Sequence, residues 1–304
     1  MLHQTQFQAL NTDVRIWLWS THPQARSILE TLPAVFDEVD YEFSRFRKDS
    51  ALNRLNLRAG HGPQRVTALL AEVCTLALQA ARETGGIFDP TILPALQACG
   101  YSVTFQAVGM VTSASMPISL AFPSTAPRWQ EVAIVGDTIA LPSGAALDLG
   151  GIAKGWAVDR IAKMLQPLGP ALVDAGGDIR ANGSIDGKPW PVAIADPFHP
   201  GRSLVTLELT EDALVTSSIG RRKWQHQGQW MHHLIDPRTQ RPAVTDVHSA
   251  SVVGPSAREC EVHAKVALIL GSEEGGMHLE KRGLEGVLVR QDGSVRTIGS
   301  RFTL

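Results

Sequence analysis

The sequence predicts an α+β protein with mixed or antiparallel sheets and flanking helices, and three observations carry that reading. Short strand-like runs cluster instead of alternating strictly with helices. Two turn dipeptides, Gly136-Asp137 and Asp292-Gly293, separate pairs of apolar runs, as antiparallel hairpins require. Residues 68–83 place Leu69, Leu70, Val73, Leu76, Ala77 and Ala80 on one helical face.

In order, residues 14–19 alternate and carry β-branched and aromatic side chains, so they read as an early strand. Residues 24–46 follow a helical pattern that Pro33 kinks or divides. Thr67 caps the helix over 68–83, and Gly85-Gly86 ends it. Residues 111–128, rich in Ser, Pro and Ala, read as a loop or lobe boundary within one domain spanning 1–304. A hairpin pairs 132–135 with 138–141, a helix covers 155–165, and a strand covers 171–175. Strands follow at 191–195, 204–209 and 248–253, then a helix over 258–270 ending at Gly271 and a last hairpin within 287–298.

Of 304 residues, 44% are hydrophobic and 19% charged, which supplies ample core and argues against disorder. The 28 basic and 30 acidic residues leave a net charge of −2 with no run of either sign, which speaks against a nucleic-acid partner. Cys74, Cys99 and Cys260 lack CxxC spacing and an even count, so they read as buried thiols in a reducing compartment. The amino terminus has neither a basic region nor an apolar core, and no segment reads as a membrane span. A cytoplasmic location is therefore expected.

Three segments carry chemistry. Residues 148–159 hold Asp148, Gly150, Gly151 and Lys154 just ahead of a helix, and Asp174, Gly176, Gly177, Asp178 and Arg180 follow. Glycines before a helix let backbone approach a phosphate, and Lys154 adds a cation there, although the same glycines also make an ordinary tight turn. Residues 86–91 set Phe88, Asp89 and Thr91 in a Pro-stiffened turn, either as site or as cap and core. His232 and His233 precede Asp236, Pro237, Arg238 and Thr239, and His233 is either a general base or a structural histidine.

With Leu10 to Thr12, Ser44 to Ser50, Asn53, Asn56, Thr216 and Ser217, these segments resemble, in order and spacing, the flavin transferases of the ApbE family, over about residues 10–271. The resemblance implies two lobes around a flavin cleft. It implies FAD as donor substrate, FMN transferred to a Thr or Ser hydroxyl of an acceptor protein, and AMP released. It assigns flavin contacts to Leu10, Phe46, Ile87, Phe88, Asp89, Asp148, Lys154 and Ile235, and the catalytic base to His233.

The family's magnesium positions fall at Gly151, Glu261 and Lys265, and the last two are altered from Asp and Thr. Lysine has no acceptor for a hard cation. Either Lys265 replaces the metal, or the helix is rotated so that Glu259, Glu261 or His263 binds it, or catalysis is lost. Leu10 and Asn11 stand where Met and Gly are usual, Ser218 where Gly is usual, and Gln240 where Gly follows Asp-Pro-Arg-Thr. A flavin-binding protein without activity and an FAD pyrophosphatase are the alternative functions.

Overall fold

A computed structural model describes residues 1–102, 128–220, 222–226 and 228–302. The expected boundary at 111–128 lies outside these, Arg128 excepted. The chain divides into two compact units. Unit 1 comprises Met1–Asp40, Ile152–Ser218 and Asp246–Leu304; unit 2 comprises Tyr41–Gly151 and Ile219–Thr245.

Unit 1 is built on an eight-stranded sheet in which every pair is antiparallel, as expected. Its strands are β1 (Leu2–Ala9), β2 (Thr12–Trp19), β6 (Ala171–Ala175), β7 (Asp178–Asn182), β10 (Ala213–Ser218), β15 (Val247–Gly254), β16 (Glu285–Arg290) and β17 (Val295–Ile298), adjacent in that order. Strand β1 was not legible because it is an edge strand of Gln, Thr and His with little apolar alternation. The hairpin β8 (Trp190–Ala195) and β9 (Ser203–Leu209) packs Trp190, Val192, Ile194, Val205 and Leu207 with sheet residues Leu172, Ile179, Leu214, Val253 and Val287. Helices α5 (Ala153–Leu165), α6 (Ala257–Leu270) and α7 (Ser272–Lys281) complete unit 1.

Helix α1 (Ala25–Phe43) is not divided at Pro33. Proline removes one backbone donor, but the face formed by Leu29, Leu32, Phe36, Val39 and Phe43 is buried along its whole length, and that burial outweighs one lost bond. Phe36 meets Phe7 edge to face at 5.4 Å between ring centroids.

Unit 2 holds α2 (Ala51–Asn56), α3 (Ala68–Glu83) and α4 (Leu93–Ala98). Thr67 caps α3 by accepting from the Leu70 N–H at 3.1 Å, as its sequence position predicts. A three-stranded sheet orders β3 (Gln64–Arg65), β5 (Thr138–Ala140) and β4 (Ala133–Val135), with the expected turn at Gly136. Two small ribbons, β11 (Lys223–His226) with β12 (Gln229–His232) and β13 (Ile235–Asp236) with β14 (Arg241–Pro242), complete it.

No helix among the described residues is long and apolar enough to cross a membrane. The three cysteines are free and buried, and burial pushes the Cys74 thiol up to about 12 and Cys99 to about 11, so both are inert near neutrality.

Candidate functional site

In unit 1 the site is organised by helices α5 and α6. A Cβ added at Gly155 would stand 2.5 Å from the Ala257 carbonyl oxygen and 2.7 Å from Arg258 Cα, so glycine is what lets the two helices come this close. Asp159 holds the start of α6, its carboxylate accepting from the backbone N–H groups of Ala257 at 2.8 Å and Arg258 at 3.0 Å, while Ser256 caps the same turn through the Glu259 N–H. Burial raises the Asp159 carboxyl, and those two donors hold it down.

That contact brings together three residues the sequence singled out, Lys154, Glu261 and Lys265, and adds Asp178. Glu261 is 4% exposed and its Oε2 accepts from the Gly155 N–H at 2.8 Å. Lys154 Nζ lies 2.7 Å from Asp178 Oδ2 and donates to the Ala175 carbonyl at 3.1 Å. Burial, reinforced by the Asp178 carboxylate, pushes Glu261 above the ordinary carboxylate range, and Lys265, Lys154 and the Gly155 N–H draw it down. Asp178 was visible in the sequence only as part of a Gly-Gly-Asp motif; its role as the buried counter-charge of Lys154 is a product of the β6–β7 turn. In that turn Asp174 Oδ1 accepts from the Gly177 N–H at 2.8 Å, and a Cβ on Gly176 would collide with Thr12. Glycine there lets the turn lie against the β1–β2 hairpin.

Leu10 and Asn11 form the two-residue turn of that hairpin, with φ of 49° and 58°, between the paired residues Ala9 and Thr12. Asparagine tolerates this region, but leucine is strained in it. On β10, Thr216 Oγ1 lies 2.8 Å from Ser251 Oγ.

The magnesium positions give a donor set that does not fit the ion. Glu261 is engaged by the α5 backbone, and Lys265 offers a cation where an acceptor is required. His263 does not join Glu261: its Nδ1 lies 3.0 Å from His278 Nε2 on α7, and burial holds both rings well below the usual range, at about 3 and about 4. Among the described residues no group of three His, Cys, Asp or Glu side chains is placed to hold a metal.

In unit 2, Phe46 and Asp148, two of the positions that the resemblance assigns to flavin, both contact Arg45, which sequence reasoning passed over because it sits between better-recognised neighbours. Arg45 Nε is 3.2 Å from Asp148 Oδ2, its NH1 donates to the Tyr101 carbonyl at 2.8 Å, and both charged side chains are largely buried. The guanidinium also lies over the rings of Phe46 at 4.0 Å and Tyr101 at 4.4 Å. Asp148 Oδ1 accepts from the Gly150 N–H at 2.6 Å, and its own N–H donates to Pro90 at 2.8 Å, which ties the segment at 148 to the turn at 87–91.

Two asparagines support this arrangement. Asn56 exchanges hydrogen bonds with the Leu147 backbone at 2.9 and 2.8 Å, and Asn53 donates to the carbonyls of Arg45 at 2.9 Å and Arg47 at 2.8 Å. Phe46 and Ile235 join one apolar cluster with Leu96, Tyr101, Trp224 and Met231, in which Tyr101 stacks on Trp224 at 4.9 Å.

In the 86–91 turn Ile87 is half-buried and Phe88 buried, its N–H donating to Thr84 Oγ1 at 3.1 Å. Asp89 Oδ1 accepts from Thr91 N–H at 2.7 Å and Thr91 Oγ1 at 2.6 Å. Its Oδ2 is buried with no hydrogen-bond partner among the described residues, and burial raises its carboxyl. A buried acceptor left open in this way is suited to a ligand donor.

His233 is half-buried in the bend between β12 and β13. Beside it, His232 Nε2 lies 3.2 Å from the Ala243 carbonyl, and burial lowers that ring. The turn after it is firm: Arg238 makes a two-pronged ion pair with buried Asp236, and Gln240, at φ 58°, donates through its amide to Pro237 at 2.8 Å.

The sequence profile described as ApbE family matches residues 10–288. An FAD:protein FMN transferase of Treponema pallidum is 31% identical over 94% of this chain and 84% of its own length, and one of Salmonella typhimurium is 26% identical over 89% and 79%. Among solved structures, the ApbE protein of Thermotoga maritima superposes with a TM-score of 0.87 at 23% identity, over 98% of this chain and 97% of its own. The flavinyl transferase ApbE of Pseudomonas stutzeri gives 0.83 at 22% identity, over 98% and 94%. The chain belongs to the ApbE family.

Proposed function

We infer that this protein is an FAD:protein FMN transferase, a flavin transferase that uses FAD as donor and acts on an acceptor protein. The observation in its own geometry that supports this most directly is Asp89 Oδ2, a buried and unpartnered acceptor at a position assigned to flavin, in a turn that Pro90 ties to Asp148. Flavin offers a ring N–H that such an oxygen can receive.

In the proposed reaction the acceptor's Thr or Ser oxygen bonds to the FMN phosphorus of FAD, the pyrophosphate bridge P–O bond breaks, and AMP leaves with the bridging oxygen. His233 takes the hydroxyl proton. Transfer of this kind depends on orientation and charge neutralisation more than on covalent help from the protein. Phe46 and Ile235 supply apolar contact, Asp148 is held rigid by Arg45, and Lys154 offsets phosphate charge. Metal-binding, with magnesium as the family's ion, is not part of this reading, for the donor-set reasons above. A cytoplasmic setting is part of it and is tested by fractionation.

Intact mass of an acceptor domain from a relative, incubated with the protein and FAD, tests the activity. An adduct of one FMN is expected. An acceptor left at its starting mass, with free FMN and AMP appearing, would instead mean hydrolysis of FAD. His233→Ala is expected to remove most of the transfer while retaining FAD binding, and unchanged transfer would remove His233 from the role of base.

A further inference from the structure

This inference rests on the reading of the chain as an FAD-using transferase. Magnesium demands a near-octahedral set of oxygens. On α6 the chain instead presents Glu261, already bonded to the Gly155 N–H, and Lys265, one turn later on the same face. Two ammonium groups, Lys154 and Lys265, and one further carboxylate, Asp178, surround Glu261, and all three act on it electrostatically. A divalent ion placed beside Lys265 would meet a like charge in a poorly solvated setting. An arriving pyrophosphate would meet the opposite, since lysine serves phosphate as a compact point charge. Lys265 is half-buried, so part of its side chain remains accessible.

We propose that Lys265 takes the place of the divalent cation in this chain, its ammonium facing the FAD pyrophosphate, so that FAD binding requires no magnesium. Glu261, one turn away, lies within the electrostatic reach of Lys265, while Asp178 pairs with Lys154 directly.

The test measures FAD affinity of the full chain by flavin fluorescence, with magnesium and with EDTA, for the wild type, Lys265→Met and Lys265→Arg. The wild-type dissociation constant is expected to agree within about twofold between the two buffers. Lys265→Met is expected to raise it about tenfold or more in both. Lys265→Arg, which keeps the charge, is expected to stay within about threefold of wild type. Should Lys265→Met misfold by circular dichroism, the Arg variant and the EDTA comparison still decide. A wild type that loses affinity in EDTA, a Met variant that folds and binds like wild type, or an Arg variant as weak as Met each overturns the substitution. In those cases FAD still binds and the transferase reading survives; no FAD binding by the wild type in either buffer overturns both.

Discussion

Glu261 Oε2 accepts the backbone N–H of Gly155 at 2.8 Å, and this one bond joins the middle of α6 to the first turn of α5. Glu261→Ala leaves a buried donor without its acceptor and vacates the side-chain volume, so a loss of about 2–3 kcal/mol is expected in urea unfolding. Gly155→Ala forces backbone apart on both sides and is expected to cost about 1–3 kcal/mol. If both variants unfold at the wild-type midpoint, the two helices are not coupled here.

Lys154 and Asp178 form an unequal pair, the lysine side chain 25% exposed and the aspartate 2%. Lys154→Met strands a buried carboxylate and is expected to lose about 2–3 kcal/mol, toward the low end because the lysine keeps some solvent. Adding Asp178→Asn should recover part of that loss. A double variant no more stable than Lys154→Met would show that the two charges do not interact.

Arg45→Lys probes whether the guanidinium matters beyond its charge. Lysine keeps the charge but loses the stack on Phe46 and Tyr101 and the fork shared by Asp148 and the Tyr101 carbonyl. FAD affinity is expected to fall about tenfold, for the loss of roughly one good hydrogen bond's worth of positioning. Equal affinity in titration would mean that Asp148 holds its place without Arg45.

The His263–His278 pair makes a prediction about acid. Burial lowers both rings, to about 3 and about 4, from the ordinary histidine value near 6.5. The unfolded chain therefore binds protons that the folded chain refuses, and stability present above about pH 6.5 is lost as pH falls toward 4. The loss is on the order of 3 kcal/mol for His263. His278→Gln removes a titrating partner, so its unfolding midpoint should fall less than the wild type's between neutral pH and pH 4. Parallel decline in both proteins would place the acid sensitivity elsewhere.

Residue pattern by itself determined the fold class and most of the regular elements, because helix amphipathicity, the Thr67 cap and the glycine turns are local signals that tertiary packing reinforces here. It also located the segments with chemistry, since Gly155, Gly176, Asp148 and Lys154 lie in compact motifs. Tertiary structure alone decided the rest. Strand β1 is defined by its partner β2, not by its own polar sequence, and α1 passes Pro33 because its buried face is continuous. The pairings of Arg45 with Asp148 and of Asn56 with Leu147 join residues distant in the chain, which no local spacing reveals. The same is true of Glu261. By spacing alone, without the family resemblance, Glu261 and Lys265 read as an ordinary solvated pair one turn apart on a helix, and only the close approach that Gly155 permits buries that carboxylate among Lys154, Asp178 and Lys265. Burial raises the electrostatic stakes of every charge in the cluster, because water no longer screens one from another.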